Sequence, residues 1–271
     1  MTCFRTLPFL LAVAIAVPGC TPALEHAVPE PRGTPPPPTQ RWVPTPGVAW
    51  QWQLEGTLDL DVDAAVYDVD GVETSAEEIQ ALHDRGRRVI CYVNVGAFEN
   101  FRPDRWRFPP ELLGRPNGWP GERWLDIRRV DVLESLMAER FDECRRKGFD
   151  AIEADLVDGY KANTGFPLTV GHQLTYNRML AGLAHDRGLS IGLKNDLDQV
   201  PELVDAFDFA VNEQCFEFRE CHKLLPFIHA GKAVFHVEYN LRNEKFCARA
   251  KEMGFSSMRK RPQLDAPRWP C

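Results

Sequence analysis

From residue 50 onward the chain repeats one unit: a short apolar run, a polar turn, an amphipathic stretch and a glycine. The apolar runs occupy residues 50–54, 64–69, 88–94, 151–155, 190–194, 207–212, 233–238 and 255–258, eight in all. Amphipathic stretches at 75–85, 130–147, 172–187, 199–206, 219–230 and 243–253 separate most of them, and Gly86, Gly148, Gly188, Gly231 and Gly254 close helices ahead of the next run. Ser75 with Glu78 three residues later has the spacing of a capping box. Such alternation predicts βα units on a parallel sheet. Eight strands in 271 residues point to an α/β fold of the (β/α)8 TIM-barrel type. The barrel is irregularly decorated, because the first connection is too short for a full helix and little chain follows the eighth run. A doubly wound dinucleotide-binding sheet would need a glycine-rich loop after its first strand, and residues 50–56 contain none.

Before the repeats the chain has a different character. Arg5 precedes an apolar run over residues 7–17, the length of a signal peptide rather than of a spanning helix. The run ends in Val17-Pro18-Gly19-Cys20, similar to a bacterial lipoprotein cleavage box, so residues 1–19 are expected to be removed and Cys20 acylated. Residues 20–47, with Pro35 to Pro38 in succession, form a proline-rich tether, and residues 48–271 form the barrel domain. The expected location is exported: a cell-surface or periplasmic lipoprotein, touching the membrane only through its anchor and acting as a monomer.

A formal net charge of −7 without any Lys/Arg run excludes a nucleic-acid partner. Six cysteines lie in the domain, an even number that favours disulfides in an exported chain. Cys215 with Cys221 would close a small loop, Cys247 with Cys271 would pin the tail, and Cys91 with Cys144 would join a strand to a helix. Fifteen pairings are possible, and spacing does not choose among them. No close Cys or His pair suits a metal, so neither metal nor cofactor is expected.

Barrel chemistry sits where the strands end, and those ends are polar: Tyr67-Asp68-Val69-Asp70, Tyr92-Val93-Asn94, Glu153-Ala154-Asp155 with Asp158 beyond, Lys194-Asn195, Asn212-Glu213-Gln214 and His236-Val237-Glu238. By the period of two, Glu153 lies one layer below Asp155 inside the barrel while Ile152 and Ala154 face the helices. A carboxylate that deep needs a partner, and Lys194 on the next strand supplies one. Two carboxyl groups flanking a glycosidic bond suffice to hydrolyse it, and Asp68, Asp70, Asp155, Asp158, Glu213 and Glu238 are the candidates.

These residues, with Trp50-Gln51-Trp52-Gln53-Leu54, Cys91-Tyr92-Val93-Asn94-Val95-Gly96-Ala97, Gly148-Phe149-Asp150, Val157-Asp158-Gly159-Tyr160, Asn212-Glu213-Gln214-Cys215 and Val237-Glu238-Tyr239, resemble glycoside hydrolase family 114. The resemblance runs from about residue 50 to 258 with the motifs in family order. It implies an endo-α-1,4-polygalactosaminidase-like barrel acting on galactosamine-containing exopolysaccharide, with Asp155 as nucleophile and Glu213 as general acid/base. It also implies substrate contacts from Asp68, Asp70, Tyr92, Asn94, Trp124, Glu153, Asp158, Tyr160, Lys194, Asn195, Gln214 and Glu238, and a Cys215–Cys221 disulfide. A cationic amino-sugar polymer suits the acidic cleft, and Trp124 and Tyr160 are placed to stack on sugar rings. The family often has Asn after its nucleophile, where this chain has Leu156. That departure favours one alternative, a barrel that binds carbohydrate without cutting it. A metal-dependent hydrolase is the other, and it would need more strand-borne His than His236.

Overall fold

In a computed structural model, residues 41–271 are described. The signal peptide, Cys20 and the tether up to residue 40 lie outside the described residues.

The elements in chain order are β1 (Trp50–Gln53), β2 (Val66–Asp70), α1 (Ala76–His83), β3 (Arg88–Asn94), β4 (Ala97–Glu99), β5 (Leu113–Pro116), β6 (Glu122–Leu125), α2 (Val130–Lys147), β7 (Ala151–Asp155), α3 (Val170–Asp186), β8 (Ser190–Lys194), α4 (Val200–Leu203), β9 (Phe209–Glu213), α5 (Leu225–His229), β10 (Val234–Glu238), α6 (Cys247–Glu252), β11 (Ser256–Arg259) and β12 (Trp269–Pro270). The eight strands β1, β2, β3, β7, β8, β9, β10 and β11 pair in that order, each parallel to the next. This is the expected (β/α)8 barrel, with α1 to α6 among its crossovers.

Local signals explain the helices. The Ser75–Glu78 capping box is present, with Glu78 N donating to Ser75 Oγ at 3.2 Å and Ser75 N to Glu78 Oε2 at 2.9 Å. Helix α2 ends at Gly148, whose φ of 101° is open to glycine at little cost. The barrel interior is an apolar plug of Trp50, Trp52, Val66, Ile90, Phe209, Val211, Phe235, Val237 and Met258. The larger core between sheet and helices includes Ile152 and Ala154. Gly192 admits the Phe209 ring, because a Cβ there would lie 2.2 Å from it.

Three features differ from the expectations. Between β3 and α2, strands β4, β6 and β5 form a separate antiparallel sheet over the mouth; runs this short show no readable period. The region expected as one helix over 219–230 is a 3-10 turn at Cys221–Leu224 followed by the five-residue α5, since Pro226 suits only a first turn. The tail after the eighth strand is structural. Strand β12 pairs antiparallel with β11, and Leu54 N donates to Leu264 O at 2.8 Å, Gln51 Nε2 to Ala266 O at 2.7 Å and Arg268 Nη1 to Trp50 O at 2.7 Å. Together with Trp50 Nε1 on Ser256 O at 2.8 Å, the tail seals β1 to β11.

Residues 41–47, counted with the tether in the sequence, lie on the barrel: Arg41 pairs with Asp208 at 3.1 Å and Ala233 N donates to Pro44 O at 2.9 Å. Disulfides join Cys91 to Cys144, Cys215 to Cys221 and Cys247 to Cys271. No described helix is long and apolar enough to cross a membrane.

Candidate active site

At the C-terminal end of the barrel, the Lys194 ammonium lies among three carboxyl groups. Its Nζ is 2.9 Å from Asp155 Oδ1, 3.3 Å from Glu213 Oε2 and 3.4 Å from Glu153 Oε1, and it stands 4.8 Å above the ring of Trp52. Strands β7, β8 and β9 are consecutive staves, so the register alone brings the ends of all three to one place. Burial would drive the proton off Lys194, but Asp155, Glu213 and Glu153 outweigh it and hold the amine well above the usual lysine range. It is a fixed cation.

Each outer carboxylate has its own phenol. Tyr92 donates to Asp155 Oδ2 at 2.8 Å, and Tyr239 donates to Glu213 Oε1. Burial and the adjacent carboxylates push both phenols upward, so both stay protonated donors. Asn195 completes the frame: its Nδ2 reaches Glu213 Oε2 at 3.2 Å while its Oδ1 accepts from Glu213 N at 3.0 Å and Asn212 Nδ2 at 3.1 Å. Asp155 and Glu213 remain partly open to solvent, at 14% and 26%, whereas Glu153 below them is fully covered.

The residues that follow these strand ends are backbone outliers. Leu156, Asn195, Asp196 and Gln214 have φ of 60°, 52°, 45° and 63°. A left-handed L-residue costs about 1–2 kcal/mol, and the chain bears this at the turns that aim Asp155, Lys194 and Glu213. Asn adopts that conformation more readily than Leu, so an Asn after Asp155 would suit the backbone of this position. Gly96 meets the same turn, where a Cβ would fall 1.8 Å from Leu156 O.

Other expected residues surround the cluster. Asp158 opens the short turn after β7, and burial raises its carboxyl, with Lys161 opposing and Asp155 reinforcing. Burial, with the charges of Asp196 and Asp198, pushes the Tyr160 phenol upward, and Trp124 packs its ring at 3.4 Å from where a Gly159 Cβ would be. Four expected contacts are engaged elsewhere. Asp70 takes a bidentate pair from Arg102 at 2.9 and 2.7 Å; Asn94 donates to Glu122 at 3.2 Å and accepts from Ala97 N at 2.9 Å. Gln214 donates to Glu217 at 2.8 Å, and Glu238 accepts from Phe216 N at 2.9 Å and lies 3.1 Å from His236. Glu238 has the opposite parity to Val237, which lines the barrel interior, so it faces outward.

Sequence reasoning missed Tyr239 and Trp52 as site residues. Trp52 has the inward parity of Asp68, its register partner, and that parity was available. Tyr239 lies one residue past β10, where no period applies. Among the described residues the one group of metal-ligand type is Cys215, Cys221 and His236, but the two sulfurs are bonded to each other and the imidazole lies between Ser257 and Glu238.

The model of glycoside-hydrolase family GH114 matches residues 32–271. The chain belongs to that family. Ega3 from Aspergillus fumigatus, solved in complex with galactosamine, is 35% identical, with a TM-score of 0.81 over 86% of this chain and 98% of that one. The glycoside hydrolase domain of PelA from Pseudomonas aeruginosa shares the fold at 16% identity, with a TM-score of 0.62 over 81% of this chain and 96% of that one. A Thermotoga maritima protein is 26% identical over 41% of this chain, and the match spans 39% of that protein's length. This GH114 chain is therefore a glycoside hydrolase, and its polar cluster lies where barrel enzymes do their chemistry.

Proposed function

We propose that this GH114 enzyme hydrolyses α-1,4 linkages in a galactosamine-containing exopolysaccharide, with Asp155 as nucleophile and Glu213 as general acid/base. The observation that carries the assignment is the pair of carboxylates held on one ammonium. Their nearest oxygens, at 2.9 and 3.3 Å from Lys194 Nζ, are separated by no more than the sum of those distances. That supports the ~5–5.5 Å spacing of retaining enzymes over the ~6.5–9.5 Å of inverting ones.

In the retaining sequence Asp155 attacks the anomeric carbon as Glu213 passes its proton to the departing glycosidic oxygen. A glycosyl ester on Asp155 and a free chain end result. Glu213, now a carboxylate, takes a proton from water, whose oxygen attacks the same carbon and releases Asp155. Lys194 and Tyr92 aim Asp155, and Tyr239 and Asn195 orient Glu213.

Two observations support the sugar. Ega3, at 35% identity, was solved with galactosamine, and this mouth holds Asp68, Glu153, Asp155, Asp158 and Glu213 against two cations, Lys194 and Lys161. Such a field draws a cationic amino-sugar polymer. The test is a product profile on matched polymers, deacetylated and N-acetylated, with wild type, Asp155→Asn and Glu213→Gln. Oligosaccharide release from the deacetylated polymer by wild type alone is expected; equal release by all three would remove Asp155 and Glu213 from the chemistry, and no release by any of them would leave a carbohydrate-binding barrel.

The enzyme's place is proposed as exported and lipidated at Cys20, and three disulfides in one domain support an oxidising compartment. Mass spectrometry of the mature N-terminus, with Cys20→Ser as control, tests this: an unmodified wild-type terminus would refute lipidation.

A further inference from the structure

Beneath the catalytic pair lie two carboxyl groups that hydrolysis does not use. Asp68 on β2 and Glu153 on β7 are both fully buried, and no N–H or O–H of any other described residue donates to their four oxygens, which leaves each carboxyl group only the other as hydrogen-bond partner. Two bare carboxylates in contact would repel each other in a medium that screens little. We infer that Asp68 and Glu153 share a single proton, carried by Asp68, and act as positioning residues that give Lys194 one permanent negative neighbour during the hydrolysis proposed above.

The surrounding groups leave few alternatives. From β3 comes the Tyr92 phenol, from β7 Asp155, from β8 Lys194, from β9 Glu213 and from beyond β10 Tyr239, while β1 contributes the uncharged Trp52. Four carboxyl groups thus face one ammonium. With all four ionised the pocket would hold three uncompensated charges above a floor closed to the outside solvent. One proton on Glu213 serves as the general acid, and a second on Asp68 reduces the excess to one. Asp68 is the member that holds it: burial and the charge of Glu153 drive its carboxyl well above the ordinary range, and its hydrogen bond to Glu153 acts in the same direction. Glu153 is also raised by burial, but Lys194 and the hydrogen bond from Asp68 oppose this.

The arrangement matters to the reaction because charge moves during it. Before attack, Lys194 faces Glu153 and Asp155 as anions. Once Asp155 becomes an ester and Glu213 has given up its proton, Lys194 faces Glu153 and Glu213 as anions. Its ammonium keeps two negative neighbours throughout and need not move. Without the Glu153 charge, Lys194 would bear more strongly on Glu213 and weaken its hold on the acid proton.

The experiment is the pH profile of kcat/KM on deacetylated galactosamine polymer for wild type, Asp68→Asn and Glu153→Gln, with infrared spectra of the free enzymes. Asp68→Asn keeps shape, neutrality and a donor, so its alkaline limb should coincide with wild type while the carbonyl band of one buried carboxylic acid is lost from the wild-type spectrum. Glu153→Gln should move the alkaline limb to lower pH by about one unit, the size of a lost neighbouring charge. An Asp68→Asn limb displaced as far as that of Glu153→Gln would show Asp68 ionised and overturn the inference. So would an unmoved Glu153→Gln limb with only a lower Tm, the mark of a structural pair. Where Glu153→Gln fails to fold, the infrared difference between wild type and Asp68→Asn decides alone, since Glu213 and Asp196 contribute equally to both, and a difference spectrum without a carboxylic-acid band overturns the proposal. That band is read without turnover, so it distinguishes failure here from failure of the Asp155/Glu213 assignment.

Discussion

Two buried charge clusters lie at the same end of this barrel, and they are built to opposite rules. Around Asp70, every acceptor is matched. Its carboxylate takes both Arg102 nitrogens and the amides of Val72 at 2.8 Å and Glu73 at 2.9 Å; Arg102 Nε reaches Glu99 at 2.9 Å, and Arg140 holds Asp104 at 2.7 and 3.0 Å. Burial alone would raise Asp70, but Arg102 and those amides bring it below the ordinary carboxylate range. Around Lys194 the acids outnumber the cation, two carboxyl groups lack donors, and the backbone after three of the strands is left-handed. A cluster whose acceptors are all matched braces the β4–β6 sheet against the barrel; one with bare acceptors is left for the substrate-binding and proton-moving roles proposed for it. Burial of charge does not separate the two. Satisfaction does.

The contrast is open to direct attack, and the largest effect is expected at the unmatched cluster. Asp155→Asn should lower kcat by on the order of 10³-fold or more with little change in Tm, measured by reducing-end release and by scanning calorimetry. At the matched cluster the expectation reverses. Arg102→Met strands Asp70 and Glu99 in the interior, so denaturant titration should show a loss of about 3–5 kcal/mol, while the folded fraction keeps nearly wild-type turnover. A large loss of kcat in the folded fraction would place Arg102 in the chemistry and erase the distinction.

A smaller effect tests the acid excess around the mouth. Asp196 is pushed up to about 8, chiefly by burial, with Asp158 adding to it and Lys161 opposing. The unfolded aspartate titrates near ~3.9, so between about 4 and 8 the folded state binds the additional proton and stability falls as pH rises. Asp196→Asn removes that contribution, and its Tm should decline less than that of wild type across the window; parallel curves would show that Asp196 ionises normally. The smallest effect concerns backbone strain. Leu156→Asn, at φ of 60°, should raise stability by up to about 1 kcal/mol with activity kept, and a loss of stability would mean that Leu156 packing outweighs its conformation.

Much of the site was legible because strand parity is rigid. Asp68, Glu153 and Asp155 fall on inward positions, and Lys194 on the adjacent stave was predicted as the partner of Glu153, from which it lies 3.4 Å. The same parity placed Asp70 inward and gave no warning of Arg102, which comes from an insertion without period. Glu238 was read as an acid at a strand end, although its outward parity was available from Val237. Tyr239 and the sealing tail obey no repeat, and their partners are distant in sequence: Tyr239 with Glu213, Leu264 with Leu54.

The sequence by itself determined the number of staves, their direction and which side chains enter the barrel, because these follow from local periods of two and 3.6. It also identified the family, through motifs spread over the whole domain. Only the tertiary structure decided which buried acids are neutralised and which are left to act. That outcome depends on cations and donors supplied by residues tens or hundreds of positions away, and no local pattern records the distance between them.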